Sequence, residues 1–252
     1  MTGRFNWYEL MTTDVEAAKA FYASVVGWDP RPFPGGNDYT VLHVGEVGVG
    51  GMMALPQEAR EAGAKPGWLG YIAVDDTDAA AGRVAQAGGT IHMPPSDIPG
   101  VGRFAMVADP QGAVFYLITP SSTETPPAPP LGTPGRIGWR ELYAGDWQAA
   151  LAFYEEQFGF AKVDAMDMGP LGTYLLFTDD GGDPSGGMMN SPSGQIAWLY
   201  YFNVAGIDTA IERVKAGGGQ VLMGPQEVPG GGWVAQATDP QGAMFALLGQ
   251  RG

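Results

Sequence analysis

The chain has 252 residues, with 40 glycines, 21 prolines, two histidines, no cysteine and a net charge of −14. The missing cysteines exclude disulfides, thiolate metal sites and thiol nucleophiles. The acidic balance excludes a nucleic-acid partner, whose affinity rests on Lys and Arg against phosphates.

Hydrophobic residues make up 45% of the chain, enough for packed cores. The glycines follow no Gly-X-Y period, which excludes collagen. No apolar run approaches the roughly 20 residues of a bilayer span, and MTGRFNWYEL has no signal pattern. A cytoplasmic protein with no membrane partner is expected.

The first predicted element is a strand over 5–11, leading into an amphipathic helix over about 14–26. Val15, Ala18, Phe21, Tyr22 and Val25 recur at helical spacing. Thr13 and Glu16 form a capping-box pattern, and Gly27 supplies the stop. Strands YTVLHV (39–44) and VGVGGMMA (47–54) follow. The order then repeats: strand GYIAVDD (70–76), helix about 77–87 ending at Gly88-Gly89, and strands near 90–94, 102–108 and 113–118. Residues 119–134 hold six prolines and read as an extended, semi-rigid spacer. The expected organisation is a domain over 1–120, a Pro-rich linker over 121–135 and a domain over 136–252. The second half follows the same plan, with strand YYFNV (200–204), a helix near 207–216 and the stop Gly217-Gly218-Gly219. Two Gly/Pro segments, PPSDIPGVG (94–102) and GPQEVPGGG (224–232), are expected as loops able to act as lids or rims.

The halves are copies of each other. FNWYELMTTDVEAAKAFYASVVGW (5–28) aligns with IGWRELYAGDWQAALAFYEEQFGF (137–160). Trp7, Glu9, Asp14, Phe21, Tyr22 and Gly27 match Trp139, Glu141, Asp146, Phe153, Tyr154 and Gly159 at a constant offset of 132. GGMM at 50–53 matches GGMM at 186–189, and DPQGAVFYLI (109–118) matches DPQGAMFALL (239–248). Each copy is itself doubled, since strand, helix and further strands occur twice in it.

The order strand, Asp, helix with Phe-Tyr and a Gly stop, then D-P-x-G before a last strand, resembles the vicinal oxygen chelate superfamily. That superfamily includes glyoxalase I, the bleomycin-resistance proteins and extradiol dioxygenases. The resemblance covers 4–119 and 136–249, and it is to tandem two-domain, glyoxalase-like members. It implies an α+β fold of two tandem domains. Each would pair two βαβββ modules into a curved, cup-shaped mixed sheet with helices outside, around a small-molecule site.

Metal-dependent members carry ligands at four places in each cup. By the resemblance these places hold Trp7, Met52, Leu69 and Tyr116 in the first copy, and Trp139, Met188, Leu199 and Ala246 in the second. None is a side chain that a hard divalent ion selects. No metal and no other cofactor is therefore expected. Glu9 and Glu141 share a strand face with Trp7 and Trp139, two residues along. A carboxylate in an apolar cup is costly unless paired, and burial would suit it to general acid–base work. They are the candidate catalytic residues. The competing reading is a structural carboxylate, for which Arg103 is a candidate partner in the first copy; its repeat partner is Trp233. His43 and His92 do not recur in the second copy, where Phe177 and Leu222 stand near the matching places, and they read as ordinary strand residues.

The candidate ligand-binding residues are Trp7, Tyr71, Tyr116, Trp139 and Tyr201, with Met52 and Met188 as an adaptable wall. For these and for Tyr200, Trp198 and Trp233 the plainer reading is sheet propensity and core packing. The leading functional expectation is a metal-free binder of a small apolar or aromatic molecule, acting as a monomer or homodimer. The alternatives are a lyase, isomerase or hydroxylase-like enzyme using Glu9 and Glu141 for proton transfer, and a metal-dependent glyoxalase or dioxygenase with non-standard ligands.

Overall fold

The computed structural model describes residues 3–36, 38–122, 129–130 and 132–252. Residues 123–128 and 131 of the expected Pro-rich spacer lie outside the described residues.

Four βαβββ modules follow one another. The first is β1 (Arg4–Thr12), α1 (Val15–Val25), β2 (Asp29–Pro32), β3 (Thr40–Val44) and β4 (Val47–Ala54), with a short α2 (Gln57–Glu61) after it. The second is β5 (Gly67–Ala73), α3 (Thr77–Gln86), β6 (Thr90–Ile98), β7 (Gly102–Ala108) and β8 (Val114–Pro120). The third is β9 (Ile137–Ala144), α4 (Trp147–Phe158), β10 (Ala161–Asp167), β11 (Thr173–Thr178) and β12 (Gly186–Asn190). The fourth is β13 (Ala197–Gly206), α5 (Ile207–Ala216), β14 (Gln220–Glu227), β15 (Trp233–Thr238) and β16 (Met244–Gln250). The strands form two open, mixed, eight-stranded sheets of identical topology, β2-β3-β4-β1-β5-β8-β7-β6 and β10-β11-β12-β9-β13-β16-β15-β14. The chain is thus α+β, with two tandem copies of one architecture.

Helices α1, α3 and α4 begin where an aspartate satisfies their free N–H groups. Asp14 Oδ1 accepts from Ala17 N at 3.0 Å, Asp76 Oδ1 from Ala79 N at 3.0 Å, and Asp146 Oδ1 from Gln148 N at 2.9 Å. The cap of α1 is therefore Asp14, one residue beyond the Thr13 of the expected capping box. Gly27 takes φ +88° after α1, as a left-handed stop requires. The two expected lids are partly strand: 94–98 belong to β6 and 224–227 to β14. The strand β2, with Pro30 and Pro32, had no sequence signal; as an edge strand it tolerates the missing donors.

Chain contacts group the residues into two compact units that cut across the repeat. Unit one takes Met1–Trp7, Leu69–Thr125 and Trp139–Leu199; unit two takes Tyr8–Trp68, Pro126–Gly138 and Tyr200–Gly252. Each unit therefore draws from both copies.

The repeated Phe-Tyr and Asp-Pro-Gln-Gly motifs meet inside each unit. In unit two, Trp68 Nε1 donates to Tyr22 Oη at 2.9 Å, and Tyr22 Oη donates to Asp239 Oδ2 at 3.1 Å. The other carboxylate oxygen of Asp239 accepts from Gln241 N at 3.0 Å and Ala243 N at 2.8 Å, closing the turn before β16. In unit one the same chain runs from Trp198 Nε1 to Tyr154 Oη at 3.0 Å and on to Asp109 Oδ2 at 3.1 Å. Asp109 Oδ1 holds Gln111 N and Ala113 N, each at 2.9 Å. Tyr22 and Tyr154 are fully buried among aromatic rings: Trp28, Trp68, Phe202 and Phe245 around the first, Phe115, Phe158, Phe160 and Trp198 around the second. Buried polar groups are tolerable here because each has a partner. No helix among the described residues is long and apolar enough to cross a membrane.

Burial pushes the Asp109 and Asp239 carboxyls above the ordinary carboxylate range, against the opposing pull of their N–H and O–H donors. A carboxyl with a raised folded-state pKa binds protons more readily folded than unfolded. Its contribution is complete below the ordinary value, falls as pH rises through the raised one, and is level above it. Asp239→Asn keeps an acceptor for the turn and removes this titration. Melting temperature followed from pH 3 to 7 should therefore decline less with rising pH in Asp239→Asn than in the parent. Identical slopes would show that Asp239 does not titrate differently in the fold.

Candidate functional site

In unit one the site starts on β9, which carries Trp139 and Glu141. Glu141 stands opposite Gly187 of β12 in a parallel register, so its side chain and the absent side chain of Gly187 share a face. A Cβ on Gly187 would overlap the Tyr174 ring. Glycine there lets Tyr174, from β11, lie flat across β12 and reach Glu141. Trp139 Nε1 donates to Tyr174 Oη at 2.9 Å, and the Tyr174 hydroxyl donates to the Glu141 carboxylate. Burial first, and then the charge of Glu141, push the Tyr174 phenol well above its ordinary range. Tyr174 therefore stays a neutral donor. Glu141, only 4% exposed, is a buried carboxylate oriented by a hydrogen-bonded phenol.

Unit two repeats the register and the tyrosine over the glycine. Glu9, also 4% exposed, stands opposite Gly51 of β4. A Cβ on Gly51 would overlap the Tyr39 hydroxyl. Tyr39 and Tyr174 both lie two residues before the residue that pairs with this glycine, Val41 and Leu176 respectively. Neither tyrosine was singled out in the sequence. The signal was present in the second glycine of each GGMM and in a tyrosine at the head of each preceding strand.

The other predicted residues separate. Tyr71 of β5 and Tyr116 of β8 are register partners in unit one, stacked at 4.3 Å with planes 19° apart, and Phe104 lies 6.0 Å from Tyr116. In unit two the equivalent pair is Tyr201 and Ala246, and Gln236 Nε2 donates to Tyr201 Oη at 3.3 Å. Only the first pair is an aromatic stack. Trp7 lies on β1, half-buried. Met52 and Met188 need correction. They pair with Leu10 and Leu142, one residue on from the glutamates, and so lie on the opposite sheet face. Both are fully buried core side chains.

Arg103 is not a partner of Glu9. Its guanidinium is paired with Asp78 and with Asp97, the latter at 3.0 Å, on an exposed surface. Its repeat partner Trp233 lies under the Arg251 guanidinium at 4.7 Å. His43 is half-buried with Nδ1 at 3.2 Å from Val41 O, and His92 is exposed. Phe177 pairs with Gly186 as Leu42 does with Gly50, so Phe177 repeats Leu42 and not His43. Among the described residues, no three His, Cys, Asp or Glu side chains gather into a group that could hold a metal ion.

Comparison with known proteins adds to this geometry. The family model described as Glyoxalase/Bleomycin resistance protein/Dioxygenase superfamily matches residues 4–117 and again 136–247. The Mycobacterium tuberculosis protein named "Putative glyoxylase CFP32" is 36% identical over 98% of this chain and 94% of its own length. The "Anthracycline biosynthesis protein DauV" of Streptomyces sp. is 29% identical over 96% of this chain and 91% of its own length. Among solved structures, the Mn(II)-bound glyoxalase of Novosphingobium aromaticivorans superposes with a TM-score of 0.70 at 17% identity, covering 100% of this chain and 83% of that one. The 2,3-dioxygenase LapB of Pseudomonas sp. KL28 superposes with a TM-score of 0.66 at 16% identity, covering 100% of this chain and 94% of that one.

Proposed function

Since the chain belongs to the glyoxalase/bleomycin resistance protein/dioxygenase superfamily, we propose that it binds a small apolar or aromatic molecule on its aromatic sheet faces without a divalent metal. The observation that carries this is the exchange of ligand types for rings. By the resemblance Trp139 and Tyr116 stand at places where metal-dependent members carry ligands, and Tyr116 stacks flat on Tyr71, both rings buried. The set Trp7, Leu69, Tyr116, Trp139, Leu199 and Ala246 contains no imidazole, carboxylate or thiolate, so it does not fit the divalent ion of the family's metal enzymes. The likeness to a protein named for anthracycline biosynthesis supports a planar, polycyclic ligand.

The test is titration of the purified chain with a hydroxylated anthraquinone, read by quenching of tryptophan fluorescence. Saturable binding is expected, unchanged by chelator or by added Mn(II). Tyr116→Ala should weaken it by up to about tenfold, the worth of one aromatic partner at about 0.5–1.5 kcal/mol. Stoichiometric divalent metal in the purified protein, with binding that requires it, would overturn the proposal.

The hydrogen bond between Tyr174 and Glu141 favours a second reading, an enzyme in which Glu141 or Glu9 moves a proton. A phenol held neutral by burial orients the carboxylate, which on this reading takes a substrate proton. On this reading Glu141→Gln lowers turnover by about 10²–10⁴-fold while the melting temperature holds. Retained turnover in both Glu9→Gln and Glu141→Gln would leave the carboxylates a structural role only.

A further inference from the structure

Unit one contains a cleft of about 500 Å³. It lies between α3, α4 and the turn at 109–112, and does not include the tyrosine stack or Glu141. At the matching place in unit two the two helices approach closely. In unit two, Phe21 of α1 packs against Gly217 at the end of α5, and a Cβ on Gly217 would stand 2.8 Å from the Phe21 ring. Arg213 Nη1 donates to Ser24 O at 3.2 Å, and its repeat partner Arg83 keeps an arginine at the matching place beside the cleft. In the repeat, Phe153 matches Phe21 and Ala87 matches Gly217. Ala87 carries the very Cβ that this close approach leaves no room for, so Phe153 does not lie against Ala87 as Phe21 lies against Gly217.

The walls of the cleft have changed chemically as well. Gln157 lines it where unit two has Val25, and Gln86 lines it where unit two has Ala216. Gln157 is only 6% exposed, and its Oε1 has no hydrogen-bond partner among the described residues. A buried acceptor without a donor is a standing cost that a ligand N–H would remove. Ala149, Ala152 and Phe153 give the cleft an apolar side. Its volume lies within the range of small-molecule sites.

We propose that this cleft is a second small-molecule site, taking a neutral amide whose N–H donates to Gln157 Oε1 and whose apolar body lies along Ala149, Ala152 and Phe153. Arg83, Asp109 and Glu156 line it together, which disfavours an anionic ligand. The site is independent of the sheet-face ligand.

The test is an NMR titration with benzamide, using methyl benzoate as the analogue lacking N–H. Benzamide is expected to shift the Ala149 and Ala152 methyl signals and the Gln157 side-chain amide saturably. Methyl benzoate should bind about fivefold more weakly, the worth of one neutral hydrogen bond. Ala152→Phe, at an exposed helix position, should abolish the shifts at Ala149 and Gln157 and leave the Tyr71 and Tyr116 ring signals in place. Ala87→Gly should weaken binding by letting Phe153 close the gap. The proposal is overturned if benzamide gives no saturable shift, if methyl benzoate binds equally well, or if binding survives in both variants.

Discussion

Asp239→Ala is expected to cost about 3–4 kcal/mol, one of the larger effects available to a single substitution in this chain. Asp239 accepts one hydroxyl and two backbone N–H groups in a buried setting. Truncation strands all three donors at once, each at about 1–3 kcal/mol if it finds no other partner. Asp239→Asn keeps an acceptor for the turn and an amide facing the Tyr22 hydroxyl, so it should cost about 1 kcal/mol or less. Tyr22→Phe should fall between them, because it leaves Trp68 Nε1 without its acceptor. Urea denaturation of the three variants would show the order. An alanine variant within about 0.5 kcal/mol of the parent, the range of ordinary surface changes, would show that the network does not hold the fold. Asp109→Ala should behave alike, since its three partners are the same in kind.

Gly187→Ala is the second substitution expected to have a large effect, and its effect should be conditional. The new Cβ overlaps the Tyr174 ring, so the ring must leave or the strands must part, at about 1–3 kcal/mol. Leaving breaks the hydrogen bonds to Trp139 and Glu141, so ligand binding or turnover at this face should fall with stability. If the cost arises from the ring, it disappears when the ring is absent. Gly187→Ala placed on a Tyr174→Ala background should be nearly neutral, a coupling of at least about 1 kcal/mol. Additive costs in the four-protein cycle would mean that the glycine serves backbone packing and not the tyrosine. The same cycle on Gly51 and Tyr39 examines the first copy.

Much of the fold was written in the sequence because periodicity and punctuation act locally. The strand at 47–54 and the helix at 207–216 coincide with β4 and α5. The cap of α1 was misplaced by one residue because Thr13 and Asp14 are adjacent competent caps, and only the backbone decides between them. The same distance of one residue separated Met52 from Glu9. The register puts Met52 on the face opposite Glu9, and the pairing partner of a strand cannot be read from the strand itself. Tyr174 carries no local signal for a related reason. Its meaning depends on a missing side chain at Gly187, two strands' worth of sequence away. Phe-Tyr and Asp-Pro-Gln-Gly are both plain in the sequence, but their union is not. Each motif is present twice, and nothing in one sequence says which tyrosine answers which aspartate.

The answer the structure gives to that pairing has an ancestral consequence. Tyr22 comes from the first copy and Asp239 from the second; Tyr154 and Asp109 reverse the roles. A single copy standing alone would hold one tyrosine and one aspartate, neither with the mate it has here. It could complete both networks only by docking on a twin. The fused chain is thereby a homodimer made covalent, in which each half still completes the other, and cutting it between residues 122 and 129 should yield two fragments that stay together rather than two free proteins.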